Sequence, residues 1–188
     1  MRWTAVAPLK LGPDRKSRLS PHMSLIERIA LGNHMAAHVL AQLHRVQTIE
    51  KILILAPENV AVSGEHWVRD EGRGLNAELE ALLPRLEYPM LVIHADLPFL
   101  ESADIEHLLA RAEEAGSALA PDLHGRGTNA IALAKYQPQF AFAFGPESFA
   151  RHRRVLGRDV AIVNRVSLSR DLDTKADLDY ARVNGLPI

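Results

Sequence analysis

The sequence contains no cysteine, which excludes disulfides, thiolate metal sites and thiol nucleophiles together. It also lacks an excess of either charge. The 22 Lys and Arg stand against 23 Asp and Glu, a formal net charge of −1, so a general nucleic-acid surface is not expected, although a local basic loop is allowed. No apolar run approaches the roughly 20 residues of a membrane span. The apolar stretch after Met1-Arg2 is too short for a signal-peptide core, so a cytoplasmic protein is expected. Neither a Walker A loop nor a Gly-x-Gly-x-x-Gly fingerprint occurs. The 188 residues, 47% hydrophobic and 24% charged, suffice for a proper core, and residues 1–188 read as a single domain without repeat or linker.

The most informative stretch is Leu91-Val92-Ile93-His94-Ala95-Asp96-Leu97-Pro98. A continuous apolar run of this kind predicts a strand buried on both faces, as in a parallel sheet covered by helices. Asp96 then falls at the strand's carboxyl end, where ligands of open α/β sheets bind. A carboxylate there needs a partner, and a divalent cation is the usual one; otherwise it caps the following turn.

Further strands are expected at 3–8, 51–55, 66–68, 118–121, 130–134, 140–144 and 160–164. A capping box at Ser24 to Glu27 opens a helix reaching about Leu43, with Leu25, Ile29, Met35, Val39 and Leu43 as its buried stripe. Other helices are expected after Gly74-Leu75-Asn76, over 103–115 with Gly116 as terminator, from Ser148, and from Thr174. Strands alternating with helices predict a three-layer α/β sandwich around a mostly parallel, mixed sheet, Rossmann-like in outline.

Three features carry chemistry. The loop after the first strand gathers Lys10, Arg15, Lys16 and Arg18, either a polyphosphate cradle or a solvated basic loop. Asp96 together with Asp171 and Asp173 would make a hard oxygen site suited to Mg²⁺, although the latter pair also suits a helix N-terminus. Gly74-Leu75-Asn76, Gly127-Thr128-Asn129 and Gly145 with Ser148 precede helices or turns where backbone N–H groups can meet an anion or a base edge. The nine histidines include His34 and His38 on one helix face, but no Glu follows His34 and no third ligand is evident, so zinc is not expected.

Pro8-Leu9-Lys10, Lys16-Ser17-Arg18-Leu19-Ser20, Gly74-Leu75-Asn76, Ala95-Asp96-Leu97-Pro98, Gly127-Thr128-Asn129-Ala130, Phe144-Gly145-Pro146-Glu147-Ser148-Phe149 with His152, and Asp171-Leu172-Asp173-Thr174 with Asp177-Leu178 occur in this order. The ordered set resembles the 2-phospho-L-lactate guanylyltransferases, which include the phosphoenolpyruvate guanylyltransferases of deazaflavin-coenzyme (F-420) biosynthesis, over essentially the whole chain. The resemblance implies a nucleotide-diphospho-sugar-transferase-like fold and a single nucleotidyltransferase domain. It implies GMP transfer from GTP to the phosphate of phosphoenolpyruvate, 2-phospho-L-lactate or 3-phosphoglycerate, with pyrophosphate leaving.

In that reading Lys10, Lys16, Arg18 and Asp96 are catalytic, and Lys10, Lys16 and Arg18 with Gly74 and Asn76 bind the nucleotide. Thr128, Gly145 and Ser148 hold the acid, and Asp96 with Asp171 or Asp173 holds Mg²⁺. The partners implied are GTP and a phosphorylated three-carbon acid, with neither nucleic acid nor membrane, and with a homodimer left open. Departures from the family pattern at Ala7, Gly12-Pro13-Asp14 and Lys175-Ala176 remove no charged or small group from the site but leave the acceptor open. Two alternatives remain: a nucleotidyltransferase of the molybdenum-cofactor type, and a non-catalytic nucleotide-binding regulator.

Overall fold

A computed structural model describes residues 1–61, 64–86 and 88–186. Its strands are β1 (Trp3–Pro8), β2 (Ile49–Ala56), β3 (Glu65–Arg69), β4 (Met90–Ile93), β5 (Ser117–Pro121), β6 (Thr128–Leu133) and β7 (Ala161–Ile162). They form one sheet in the order β3-β2-β1-β4-β6-β5-β7. Neighbours are parallel except where β6 runs against β4 and β5. The helices are α1 (Leu25–Arg45), α2 (Leu75–Leu82), α3 (Ser102–Ala115), α4 (Ser148–Leu156), α5 (Val166–Ser169) and α6 (Lys175–Val183). This is the mixed, mostly parallel α/β architecture that the strand–helix alternation predicts.

Both faces of the sheet are covered, and they are filled differently. On one face the strands present small residues, among them Ala5, Ala7, Ala118, Ala120, Ala130 and Ala132, against Val39 and Leu43 of α1 and Leu108 and Leu109 of α3. Alanines let these helices approach closely, and the bulk comes from the helix side. On the other face Val6, Leu53, Leu55, Val92, Ile131 and Leu133 meet α2 and the aromatic run Phe140, Phe142 and Phe144. Successive residues of β1 thus point to opposite covered faces, which is why the strand reads as continuously apolar.

The helix signals act as anticipated. Ser24 and Glu27 form a reciprocal capping box, Gly116 ends α3 in the left-handed region, and Thr174 with Asp177 caps α6. Three expectations need correction. Leu25 is exposed and Ile29 only half buried, because the buried stripe of α1 runs through Arg28, Leu31, Gly32, Met35 and Val39. Segment 140–144 is not a strand, although its alternating Phe side chains are buried. Its backbone bonds to side chains instead: the amide of Ala143 donates to His152 Nε2 and that of Phe144 to Asn76 Oδ1. Of 160–164, only Ala161 and Ile162 pair with β5.

β1 to β4 are parallel, so their carboxyl ends share one edge of the sheet. β6 is antiparallel, and the Ile93–Ala130 pairing brings its opening residues Thr128 and Asn129 to that same edge.

Candidate active site

The loop leaving β1 is shaped by two buried arginines. Arg28 donates to the carbonyls of Pro13 at 3.0 Å and Arg15 at 2.9 Å. The Arg15 guanidinium lies against α1, bonding Asn33 Oδ1 at 2.8 Å and the Gly32 carbonyl. A Cβ at position 32 would lie 2.1 Å from Arg15 Nε, so the close approach requires glycine there. Arg15 is therefore an anchor of the loop, although it also lines the cleft beside Lys16 and Arg18. Leu19 fixes the far end of the loop among Leu31, Met35, Leu172 and Leu178.

Between these anchors Lys16 takes a left-handed conformation, φ 53°, that is costly for a residue with a Cβ. Its ammonium sits 2.7 Å from Asp96 Oδ2 and 2.7 Å from Asp173 Oδ1, with the side chain 6% exposed. Burial alone would lower the Lys16 pKa, but Asp96 and Asp173 outweigh it and hold the ammonium above its ordinary value. Burial likewise acts to raise Asp96, and Lys16 overrides it, keeping that carboxylate below its usual range. Arg18 reaches Asp173 Oδ2 at 3.2 Å from a largely exposed position.

Asp171 and Asp173 flank Leu172, which is buried and donates its amide to the Asp96 carbonyl at 3.1 Å. The α6 capping box begins at the next residue, so the segment is held at both ends. Asp96, Asp171 and Asp173 each offer an oxygen, and these lie within 4.8 Å of one another. Burial, followed by repulsion from Asp96 and Asp173, pushes the Asp171 carboxyl up to about 6, while Asn129 Nδ2 lies 3.4 Å away. Asp96 Oδ1 is buried with no hydrogen-bond partner among the described residues. Crowded carboxylates, one of them reluctant to ionise and another with an orphaned oxygen, have the donor chemistry of a hard divalent cation site.

A cleft of about 600 Å³ opens beside this cluster at the carboxyl edge. Lys10, Lys16, Arg18, Asp96 and Asp173 line it, as do Gly74 and the Asp70–Gly72 turn after β3. Glu78 of α2 shapes that turn. Its buried carboxylate accepts from the amides of Glu71 and Arg73, both at 3.0 Å, and pairs with the Arg73 guanidinium at 2.7 Å.

A second cluster lies at the β6–α4 side. Thr128 Oγ1 is 3.0 Å from His152 Nδ1, and both residues are buried. Gly145 has φ 113°, Glu147 has φ 55° and is tied to Arg126, and Ser148 is the buried first residue of α4. The His94 ring, which lines the cleft, lies 5.1 Å from that of Phe144, itself 4.9 Å from His152.

The family model for "Guanylyl transferase CofC like" matches residues 3–185. The chain belongs to that family. A phosphoenolpyruvate guanylyltransferase of Sphaerobacter thermophilus is 35% identical, with 95% of this chain and 92% of the relative covered. One of Rubrobacter xylanophilus is 34% identical over 96% and 94%. Among solved structures, a Desulfovibrio desulfuricans protein assigned as a nucleotide-diphospho-sugar transferase superposes with a TM-score of 0.73 at 17% identity, covering 98% of this chain and 88% of the other, which speaks for the fold alone.

In this CofC-like chain, then, the residues expected around a nucleotide divide. Lys10, Lys16, Arg18, Gly74, Asp96 and Asp173 share the cleft. Asn76 is not among its lining residues: its carboxamide bonds the Phe144 backbone from both ends, at 3.1 and 2.8 Å, and so braces α2 against the aromatic segment. Thr128, Gly145 and Ser148 are not among the residues that line the cleft, although Thr128 opens β6 at the same edge of the sheet. His38 bonds the Leu100 carbonyl at 2.8 Å, a packing role. The sequence assigned no individual role to the side chains of His94, His152 and Glu78, and named Asn129 only as part of the Gly127-Thr128-Asn129 turn. Signals existed for His94, which directly precedes Ala95-Asp96, for Asn129 beside Thr128, and for His152 next to the Phe144–Phe149 motif, whereas Glu78 had none. No described helix is long and apolar enough to cross a membrane.

Proposed function

We propose that the chain is a single cytoplasmic nucleotidyltransferase domain that moves GMP from GTP to the phosphate of a phosphorylated three-carbon acid in deazaflavin-coenzyme biosynthesis, with phosphoenolpyruvate as the favoured acceptor. The observation that carries this is the meeting of Lys16 with Asp96 and Asp173 at the mouth of the cleft, in a chain of this family. The names of the relatives favour phosphoenolpyruvate and weigh against both the molybdenum-cofactor and regulator alternatives.

An acceptor phosphate oxygen attacks the α-phosphorus of GTP, the bond from that phosphorus to the β-bridging oxygen breaks, and pyrophosphate leaves with the electron pair. A phosphate monoester has a second pKa of about 6 and is largely ionised at neutral pH, so no general base is required. The protein's task is to align two polyanions and offset their repulsion. Lys10, Lys16 and Arg18 take the triphosphate, with Lys16 exchanging its carboxylate partners for phosphate oxygens. The Asp70–Gly74 turn faces the base, with Gly74 allowing close approach. Thr128, Gly145 and Ser148 hold the acid. Asp96, Asp171 and Asp173 would hold Mg²⁺, which when bound supplies charge neutralisation between the phosphates.

The test is incubation with GTP, Mg²⁺ and each of phosphoenolpyruvate, 2-phospho-L-lactate and 3-phosphoglycerate, following pyrophosphate release and the product mass. A GMP adduct of phosphoenolpyruvate is expected. GTP binding without an adduct of any acid would support the regulator instead.

A further inference from the structure

His152 is fully buried between β6 and the aromatic segment, and its two ring nitrogens have distinct partners. The Ala143 amide can only donate, and it points at Nε2 from 2.8 Å, so Nε2 must be the unprotonated nitrogen. The ring proton is then on Nδ1, which faces Thr128 Oγ1 at 3.0 Å. The Thr128 hydroxyl must accept that bond, and its own proton remains to be donated elsewhere. Among the described residues no other hydrogen bond to this hydroxyl occurs. Burial, then the neighbouring Arg151 and His94, lowers the His152 pKa to about 4, consistent with a neutral ring.

We propose that His152 is a positioning residue for the acceptor: held as the Nδ1–H tautomer by the Ala143 amide, it makes Thr128 an obligatory donor toward the bound acid. The assignment rests on the reading of Thr128 as part of the acid pocket. A threonine hydroxyl left to itself rotates and can present either a lone pair or a proton. Toward a carboxylate or phosphate oxygen only the proton is useful, and a lone pair repels. His152 removes the wrong choice before the acid arrives. Through Ala143 the same ring also fixes the segment that delivers Gly145 and Ser148, so one imidazole coordinates both sides of the pocket.

The experiment is a double-mutant cycle with Thr128→Val and His152→Phe, reading the Michaelis constants for phosphoenolpyruvate and GTP together with the melting temperature. Phenylalanine keeps the ring contacts to Phe140 and Phe144 but loses both hydrogen bonds. Each single substitution should raise the constant for the acid by about tenfold or more, as for loss of a hydrogen bond to a charged ligand, with GTP little changed. The double variant should be no worse than the worse single one. His152→Gln, which can both accept and donate, should recover part of the loss, and it serves also if His152→Phe does not fold. In the native protein, nitrogen NMR near neutral pH should find Nδ1 protonated and Nε2 bare.

The opposite tautomer, or independent and multiplicative effects in the cycle, would overturn the inference. An unchanged constant for the acid in Thr128→Val would instead remove the acid-pocket reading, and the role of His152 with it.

Discussion

The cluster around Lys16 and the cluster around His152 satisfy buried polar groups in opposite ways. Around Lys16 the partners are full charges drawn from the β1 loop, the end of β4 and the segment before α6, and they do not balance: one ammonium and a peripheral guanidinium face three carboxylates. Around His152 the partners are neutral and each hydrogen bond has a defined direction. The two positive-φ residues other than glycine in the described chain, Lys16 and Glu147, fall one in each cluster. Strain of this kind persists where the surroundings over-determine it. The contrast teaches that the charged cluster can be re-partnered by a polyanion or a cation, whereas the neutral one keeps its partners and is oriented before substrate binds, with only the Thr128 proton left to donate.

The hardest blow to this contrast is Asp96→Asn. Loss of that charge should lower turnover by roughly two to three orders of magnitude, comparable to removal of a transition-state electrostatic contact. The protein should still fold, because Lys16 keeps Asp173, but its melting temperature should fall as one of the two carboxylate partners of the buried ammonium is weakened. Steady-state kinetics and calorimetry check both, and turnover at the native level would exclude Asp96 from the chemistry.

Lys16→Ala comes next. We expect the Michaelis constant for GTP to rise about ten- to a hundredfold, whereas Arg18→Ala, removing a largely exposed cation, should do less. Without nucleotide, the Lys16 variant should bind Mn²⁺ more tightly than the native protein, since an ammonium no longer occupies the carboxylates. Titration calorimetry with Mn²⁺ measures this directly, and weaker binding would mean that Lys16 builds the cation site instead of competing for it.

Much of the frame of this comparison is legible in the sequence because it is local. The apolar run ending at Asp96 predicts β4 and its edge, and the boxes at Ser24 and Thr174 and the cap at Gly116 set helix ends within a few residues. What stays hidden is pairing across distance. Lys16 and Asp173 are 157 positions apart, and Asn76 and Phe144 are 68 apart. Segment 140–144 misleads for a physical reason: alternation reports which side chains are buried, not what satisfies the backbone, and here side chains replace a neighbouring strand. The packing of Arg15 depends on the absence of a Cβ at Gly32, on the helix that follows the loop, which no charge pattern announces.

Glu78→Gln probes whether the nucleotide side also needs a finished scaffold. The Glu78 carboxyl is lowered to about 2, first by the bond from the Arg73 guanidinium and against burial. Its stabilising effect is therefore fully present above the ordinary value near 4.5 and lost as pH falls toward about 2. The substitution should lower the melting temperature by about 3–6 °C at neutral pH and raise the Michaelis constant for GTP several-fold. The melting difference from the native protein should shrink on acidification below about pH 4.5. A difference constant across that range would mean that Glu78 acts by shape alone.

The smallest effect sharpens the comparison from the other side. Asp171 is held near 6 by burial and by its carboxylate neighbours, so its ionised form is strained in the folded chain. A carboxyl raised above its unfolded value costs stability above pH 6, and the cost disappears as pH falls through about 6 toward the ordinary 3.8. In protein stripped of divalent cations, Asp171→Asn should therefore be more stable than the native chain at neutral pH. The gain should be about 1 kcal/mol, well below full linkage, because the carboxylate is only partly buried. The gain should vanish near pH 4, and Mn²⁺ should reverse it by stabilising the native protein alone. In the neutral cluster His152→Phe should show no such sign change, since it removes two satisfied hydrogen bonds at every pH at which the ring is neutral. Chemical denaturation of both variants at neutral and acidic pH, with and without Mn²⁺, measures this. If Asp171→Asn destabilises the stripped protein at neutral pH, the charged cluster is as finished as the neutral one and the distinction between them fails.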